Sequence, residues 1–226
     1  MEIIREIINT IRRSSAVKNK IKSNARLKRI IKSVIGMRVE QGSQIQVKGK
    51  ETILLISHEA SATGAPILAL NIGKKLSRKY NIIAILLRGG SLKEKFKDHS
   101  TKVISFKLGI VNQIGLKREI KKIKEEASMP SFAIINSIVS AQTIEPIRKL
   151  GIPTLTLVHE FSAYIRPLSM LDNVGLYSSD IIFSSKMTRD DLLQKCPQLK
   201  SVRTGVLQQG ICEKINSAKN NYSLVY

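Results

Sequence analysis

The chain has 226 residues, is 42% hydrophobic and carries 38 Lys/Arg against 17 Asp/Glu, a formal net charge of +21. That length and apolar content allow one sizeable core with an appendage, and the charge favours anionic partners such as phosphates, nucleic acid or an anionic membrane surface. Two unpatterned cysteines, Cys196 and Cys212, argue against a disulfide framework. No apolar run approaches the roughly 18 residues of a membrane span, and no clean signal-peptide core is present, so the expected location is cytoplasmic.

Residues 1–50 hold 13 Lys/Arg against three Glu. Ile3, Ile4, Ile7, Ile8 and Ile11 fall at helical spacing, and so do Leu27, Ile30, Ile31, Val34 and Ile35. The spacing predicts one or two basic amphipathic helices ending near Gly36, then a linker, "EQGSQIQVKGK" (40–50). Such helices either lie in an anionic membrane interface, at the inner face of the membrane, or pack their isoleucines on the main domain.

From residue 52 strands and helices alternate. "TILLIS" (52–57) is an apolar run without alternation, as in a strand buried on both faces. "APILALNIGKKLSRKY" (65–80) has helical period, with Ile67, Leu68, Leu70, Ile72 and Leu76 on one side. Strands at 81–87 and 102–106 follow, separated by a short helix at 91–99. A charged helix (112–127) leads to a strand at 131–137. A helix at 141–150 contains Pro146, which marks a kink or a late start. Strands at 153–159, 180–185 and 201–207 are separated by helices at 166–178 and 186–196. This order predicts a doubly wound, Rossmann-like, mostly parallel sheet of about seven strands over 51–210, preceded by the basic helices and followed by a short tail, 211–226.

In such sheets ligands bind beyond the carboxyl ends of the strands. That rule selects Ser57, His58, Glu59 and the turn Thr63-Gly64-Ala65 after the first predicted strand. It selects Arg88, Gly89 and Gly90 after the second, and Asn136 and Ser137 after the fourth. His159, Glu160 and Tyr164 follow the fifth, and Ser185 the sixth. Two of the three histidines therefore fall on one edge, each followed by a glutamate, whereas His99 lies in a charged helix end.

Four chemistries are open to this edge. Neither "HEASA" nor "HEFSA" supplies the second histidine of HExxH, so a zincin helix is disfavoured, although two His-Glu pairs could share a metal. GxGxxG and GxxxxGK[ST] are absent after the first strand. A simpler anion cradle remains: "TGAP" offers small residues, a helix start with free N–H groups, Pro66 in the first turn and Thr63 as a cap. A tight turn with no ligand needs the same residues. Nucleophilic catalysis by Ser57 or Ser137 lacks the GxSxG elbow.

The stretch "ILLISHEASATGAPILALNIGKKLSRKYNIIAILLRGGSLKEKF" (53–96) resembles the opening of family 4 (group 1) glycosyltransferases of the GT-B fold. "TLTLVHEFSAYIRP" (154–167), "SDIIFSSKMTRDDL" (179–192) and "VLQQG" (206–210) resemble later parts of that family's N-terminal domain, in order. The resemblance spans about residues 52–210. It implies sugar transfer from a nucleotide-sugar co-substrate to a polysaccharide or glycolipid acceptor, without an essential metal or other cofactor. It places Thr63, Gly64 and Ala65 near the donor diphosphate and acceptor, His159 near the transferred sugar as the catalytic position, and Glu160 beside it, shaping the loop or binding acceptor.

GT-B enzymes have two Rossmann-like domains, and no second alternating series follows "VLQQG" in this sequence. The expectation is therefore a truncated or split form with little activity alone, completed by a separate chain that carries the donor domain. The alternative is a non-enzymatic module that binds a membrane surface or a partner through the basic helices. Nucleic acid is disfavoured, because 4% aromatic content leaves few stacking platforms.

Overall fold

A computed structural model describes residues 36–107, 109–210 and 212. The basic helices expected before Gly36, and nearly all of the tail after 210, lie outside the described residues.

Eight strands form one sheet: β1 (Met37–Gln41), β2 (Thr52–Ser57), β3 (Asn81–Leu86), β4 (Lys102–Phe106), β5 (Phe132–Asn136), β6 (Thr154–Val158), β7 (Asp180–Phe183) and β8 (Arg203–Val206). Their order is β1-β4-β3-β2-β5-β6-β7-β8. β1 pairs antiparallel with β4, and every other pairing is parallel. The helices are α1 (Gly64–Leu76), α2 (Lys93–Asp98), α3 (Gln113–Glu126), α4 (Ile144–Arg148), α5 (Met170–Tyr177) and α6 (Lys186–Lys195).

The doubly wound parallel sheet agrees with the sequence pattern, and β1 adds a strand to it. The stretch 37–41 has no apolar run to announce a strand, because it lies at an edge. Met37 and Glu40 are half-buried, and Arg38, Val39 and Gln41 are exposed. Its backbone pairing with β4 holds it, together with Glu40, whose carboxylate is bonded to Lys93 and lies 3.7 Å from Lys97. The sheet therefore begins before the boundary expected at residue 50. Residues 47 and 50 are also tied to it, through the Asn81 side chain.

β2 and β3 are buried along their whole length. Their two faces feed two cores. Leu54, Ile56, Ile83 and Ile85 pack with Leu116, Ile120, Ile144, Leu171 and Leu192 of α3 to α6. Ile53, Leu55, Ile82 and Ala84 pack with Ala69, Leu70 and Phe96 of α1 and α2. Helices on both faces explain the absence of polar alternation in these strands.

Three local expectations are corrected. α1 buries Pro66, Ala69, Leu70 and Gly73, and Ile67, Ile72 and Leu76 pack only partly against the core. A Cβ on Gly73 would lie 2.9 Å from Leu55 Cδ2, so the small residues set the distance of helix from sheet. The helix expected at 141–150 is a 3-10 turn (Ile138–Thr143) followed by the short α4, so Pro146 marks the late start rather than a kink. Pro146 is the third residue of α4, where no helical partner for an N–H is needed. The helix expected from 166 starts at Met170. Among the described residues no helix is long and apolar enough to cross a membrane.

Candidate active site

The winding direction reverses between β2 and β5. β3 and β4 lie to one side of β2, and β5 to β8 lie to the other. Adjacent loops diverge at such a switch point and leave a crevice at the carboxyl edge. His58, Asn136, Ser137, His159 and Glu160 all stand there.

Asn136, the last residue of β5, is fully buried. Its Nδ2 donates to the Ala65 carbonyl of α1 at 2.8 Å, which leaves Oδ1 to accept from His159 Nε2 at 3.0 Å. That pattern assigns the His159 proton to Nε2 and makes Nδ1 an acceptor. Gln209 Nε2 contacts this Nδ1. One buried amide thus fixes the start of α1 and the tautomer of the histidine beyond β6.

Glu160 is engaged locally. Its Oε1 accepts from Ser137 Oγ, and its Oε2 accepts from the His159 backbone N–H at 3.0 Å. Ser137 holds φ 72°, a left-handed conformation in a residue other than glycine, worth about 1–3 kcal/mol of strain where the surroundings enforce it. The bond to Glu160, and the N–H of Ser137 donated to the Leu157 carbonyl at 3.0 Å, supply that enforcement. Both contacts favour the loop-shaping role for Glu160.

After β2, Ser57 Oγ donates to the Glu59 carbonyl at 2.8 Å, and Ser61 Oγ donates to Glu59 Oε1 at 2.5 Å. His58 Nε2 is 3.7 Å from that same Oε1. Burial pushes the His58 imidazole below its ordinary pKa, against the pull of Glu59 and Glu160, and Arg88 lowers it further. Burial also lowers His159, with Glu160 opposing and His58 adding to the shift. Both rings are therefore neutral near pH 7.

The turn differs in detail from the expected cap. Thr63 occupies the N-cap position of α1, but its side chain makes no capping bond. Its Oγ1 instead pairs with Ser61 Oγ at 2.9 Å. The Gly64 and Ala65 N–H groups at the helix start are thus left without the side-chain cap. A Cβ on Gly64 would meet nothing within 4 Å, so this glycine is not required by packing. Gly89 is likewise open. A Cβ on Gly90, by contrast, would lie 2.2 Å from the Ala60 backbone, so Gly90 lets the loop after β3 pack against the loop after β2.

Two selected residues stay outside the cluster. Tyr164 is 81% exposed on a 3-10 turn, Ser162–Tyr164. Ser185 caps α6, its Oγ accepting from Thr188 N–H at 3.0 Å. Three residues that the strand-end rule passed over contribute. Gln209 contacts His159. Asp191 of α6 accepts from Ser162 N–H and Oγ at 2.7 and 3.1 Å and holds the loop after β6. Gln142 binds the Gly109 carbonyl and the Val111 N–H. Asp191 and Gln142 follow no strand directly, so only their folded positions reveal them, whereas Gln209 stands just past β8 (Arg203–Val206). Among the described residues, no three His, Cys, Asp or Glu side chains are grouped to hold a metal ion.

The fold recurs in solved structures at low identity. HepE of Anabaena, in complex with UDP, aligns with a TM-score of 0.51 and 17% identity, over 71% of this chain and 44% of that one. A UDP-glucosyltransferase from Polygonum tinctorium, capable of glucosylating indoxyl, aligns with a TM-score of 0.50 and 10% identity, over 77% and 55%. The chain therefore has the Rossmann-like fold found in UDP-glycosyltransferases, and it spans about half the length of these proteins. No family model and no curated protein matches it.

Proposed function

We propose that residues 52–210 form the acceptor-side wall of a glycosyltransferase cleft of the family 4, GT-B kind. In this reading a sugar passes from a nucleotide-sugar to a glycan or lipid-linked acceptor, and the donor-binding wall comes from outside the described residues. The observation that carries it is the convergence of His58, Asn136 and His159 at the switch point of a fold shared with UDP-bound and UDP-sugar-using proteins.

Each residue has a role that its contacts allow. Asn136 holds neutral His159 with Nδ1 as the acceptor end. Once Gln209 is displaced, Nδ1 receives a hydroxyl hydrogen from the sugar or the acceptor, and general-base help of this kind is worth about 10²–10⁴-fold. Glu160 and Ser137 position that imidazole. The free N–H groups of Gly64 and Ala65 face charge developing on the leaving diphosphate, in the manner of other preorganised donors.

The test is sugar transfer. The full chain is incubated with UDP-sugars and with glycan or lipid-linked acceptors, alone and with proteins encoded beside it. Transfer is expected only in the combined samples, and His159→Ala should reduce it by about a hundredfold or more. Transfer by the chain alone would remove the need for an outside donor wall. Transfer in no sample, with His159 resonances unmoved by UDP, would overturn the reading.

A further inference from the structure

Beside the histidine cluster, toward β3 and β4, lies a small pocket lined by His58, Arg88, Gly109, Val139 and Gln142. Its volume is about 20 Å³, room for a water-sized polar group rather than a sugar ring.

Its charge is unbalanced. Arg88 is half-buried, yet it has no hydrogen-bond or ion-pair partner among the described residues. A guanidinium withdrawn from water without a counter-charge is costly, and such groups are normally paired. The glutamate of the loop after β2, Glu59, is engaged by Ser61 and faces His58. His58 adds a second unmet group, because its Nδ1 is buried with no partner among the described residues.

The wall is shaped around Arg88. Gly109 has φ +70°, and a Cβ there would stand 2.7 Å from Arg88 Nε. Gln142 fixes this glycine by donating to its carbonyl at 2.7 Å, while its Oε1 accepts from the Val111 N–H at 3.2 Å. Glycine thus leaves the space that the guanidinium occupies, and a half-buried amide keeps the loop in place.

We propose that this pocket admits one oxygen of a carboxylate or phosphate group of the acceptor, the group being paired with Arg88 at the pocket's open side, so that the acceptor class is anionic. The inference rests on reading this edge as the acceptor wall. A planar guanidinium binds either oxyanion through two parallel N–H donors. The pocket holds only one oxygen of the charged group, and the rest of the acceptor extends along the edge toward His159.

The full chain is titrated with glucuronate, glucose 6-phosphate and glucose at about 150 mM salt, where long-range attraction to the basic surface is screened. Binding is followed by calorimetry and by the Arg88 Nε–H resonance. At least one acid should bind about tenfold or more tightly than glucose, and Arg88→Met should erase that preference. Arg88→Lys should keep part of it. Lys124→Met, an equal loss of charge on the exposed side of α3, should leave it unchanged, with circular dichroism confirming that each variant is folded. Preference for glucose 6-phosphate assigns a phosphate ester, and preference for glucuronate assigns a uronic acid.

Acids that bind no better than glucose, or that lose affinity equally in Arg88→Met and Lys124→Met, would overturn the pocket. The two readings fail separately. Acid binding through Arg88 with no sugar transfer in any mixture leaves the pocket and removes the transferase. Transfer to neutral acceptors at the same rate in Arg88→Met does the reverse.

Discussion

His58 and His159 show how residue identity becomes chemistry through surroundings. Each is followed by a glutamate, an arrangement that in water would favour the charged imidazole. Burial outweighs that attraction, and both pKa values fall. The sign of the consequence is definite. A histidine lowered in the folded state leaves the unfolded chain holding more protons as pH drops below about 6.5, the ordinary imidazole value. Stability is therefore full above that value and is lost as pH falls from it toward the lowered one. Urea denaturation between pH 7.5 and 5 should show this slope, and the double variant His58→Gln/His159→Gln should flatten it. An unchanged slope would mean that the two rings are not protected from protons.

At the scale of elements, β1 is the feature that sequence pattern concealed. Its residues carry charge and little apolar content, so neither period nor propensity marks a strand. Pairing with β4 and the Glu40 contacts to Lys93 and Lys97 define it. Gly42 closes it, because a Cβ there would stand 1.8 Å from the Ser100 carbonyl oxygen. Gly42→Ala should thus cost about 2 kcal/mol and lift β1 from the edge. Amide exchange at Arg38 and Glu40, whose N–H groups face β4 in this register, should quicken, while exchange in β2 stays slow. Equal protection in both proteins would show that the turn has another way to bend. β2 to β5 were legible for the opposite reason: burial along nearly their whole length makes them plain apolar runs, whereas β6 to β8, half-buried or exposed in part, were marked by their place in the alternation of strands and helices.

For the whole molecule, the charge of +21 raises the second functional reading, that the basic segment before Met37 binds an anionic surface at the membrane. Because β1 starts at Met37, the segment to remove is 1–35. Removal through residue 45 would take away β1 as well. Vesicles containing an anionic lipid should retain the full chain and release the chain lacking 1–35, as followed by cosedimentation. Equal binding of both proteins would remove this reading and leave the cleft as the functional feature.

The sequence by itself determined the alternation of strands and helices, the parallel sheet and the edge where His58 and His159 would fall. These follow from local burial period and from the rule that parallel strands share a carboxyl edge. It also marked Arg88, Asn136 and Ser137, because each ends or follows a strand. Only the tertiary structure decided what these residues do. Asn136 joins α1 to His159 across 71 and 23 positions of chain, and Gln142 secures Gly109 beneath Arg88 across 33. Tyr164 and Ser185, selected by the same rule, turn outward or cap a helix. The physical reason is that hydrogen-bond satisfaction and charge pairing are settled between segments distant in the chain, whereas periodicity is settled within one.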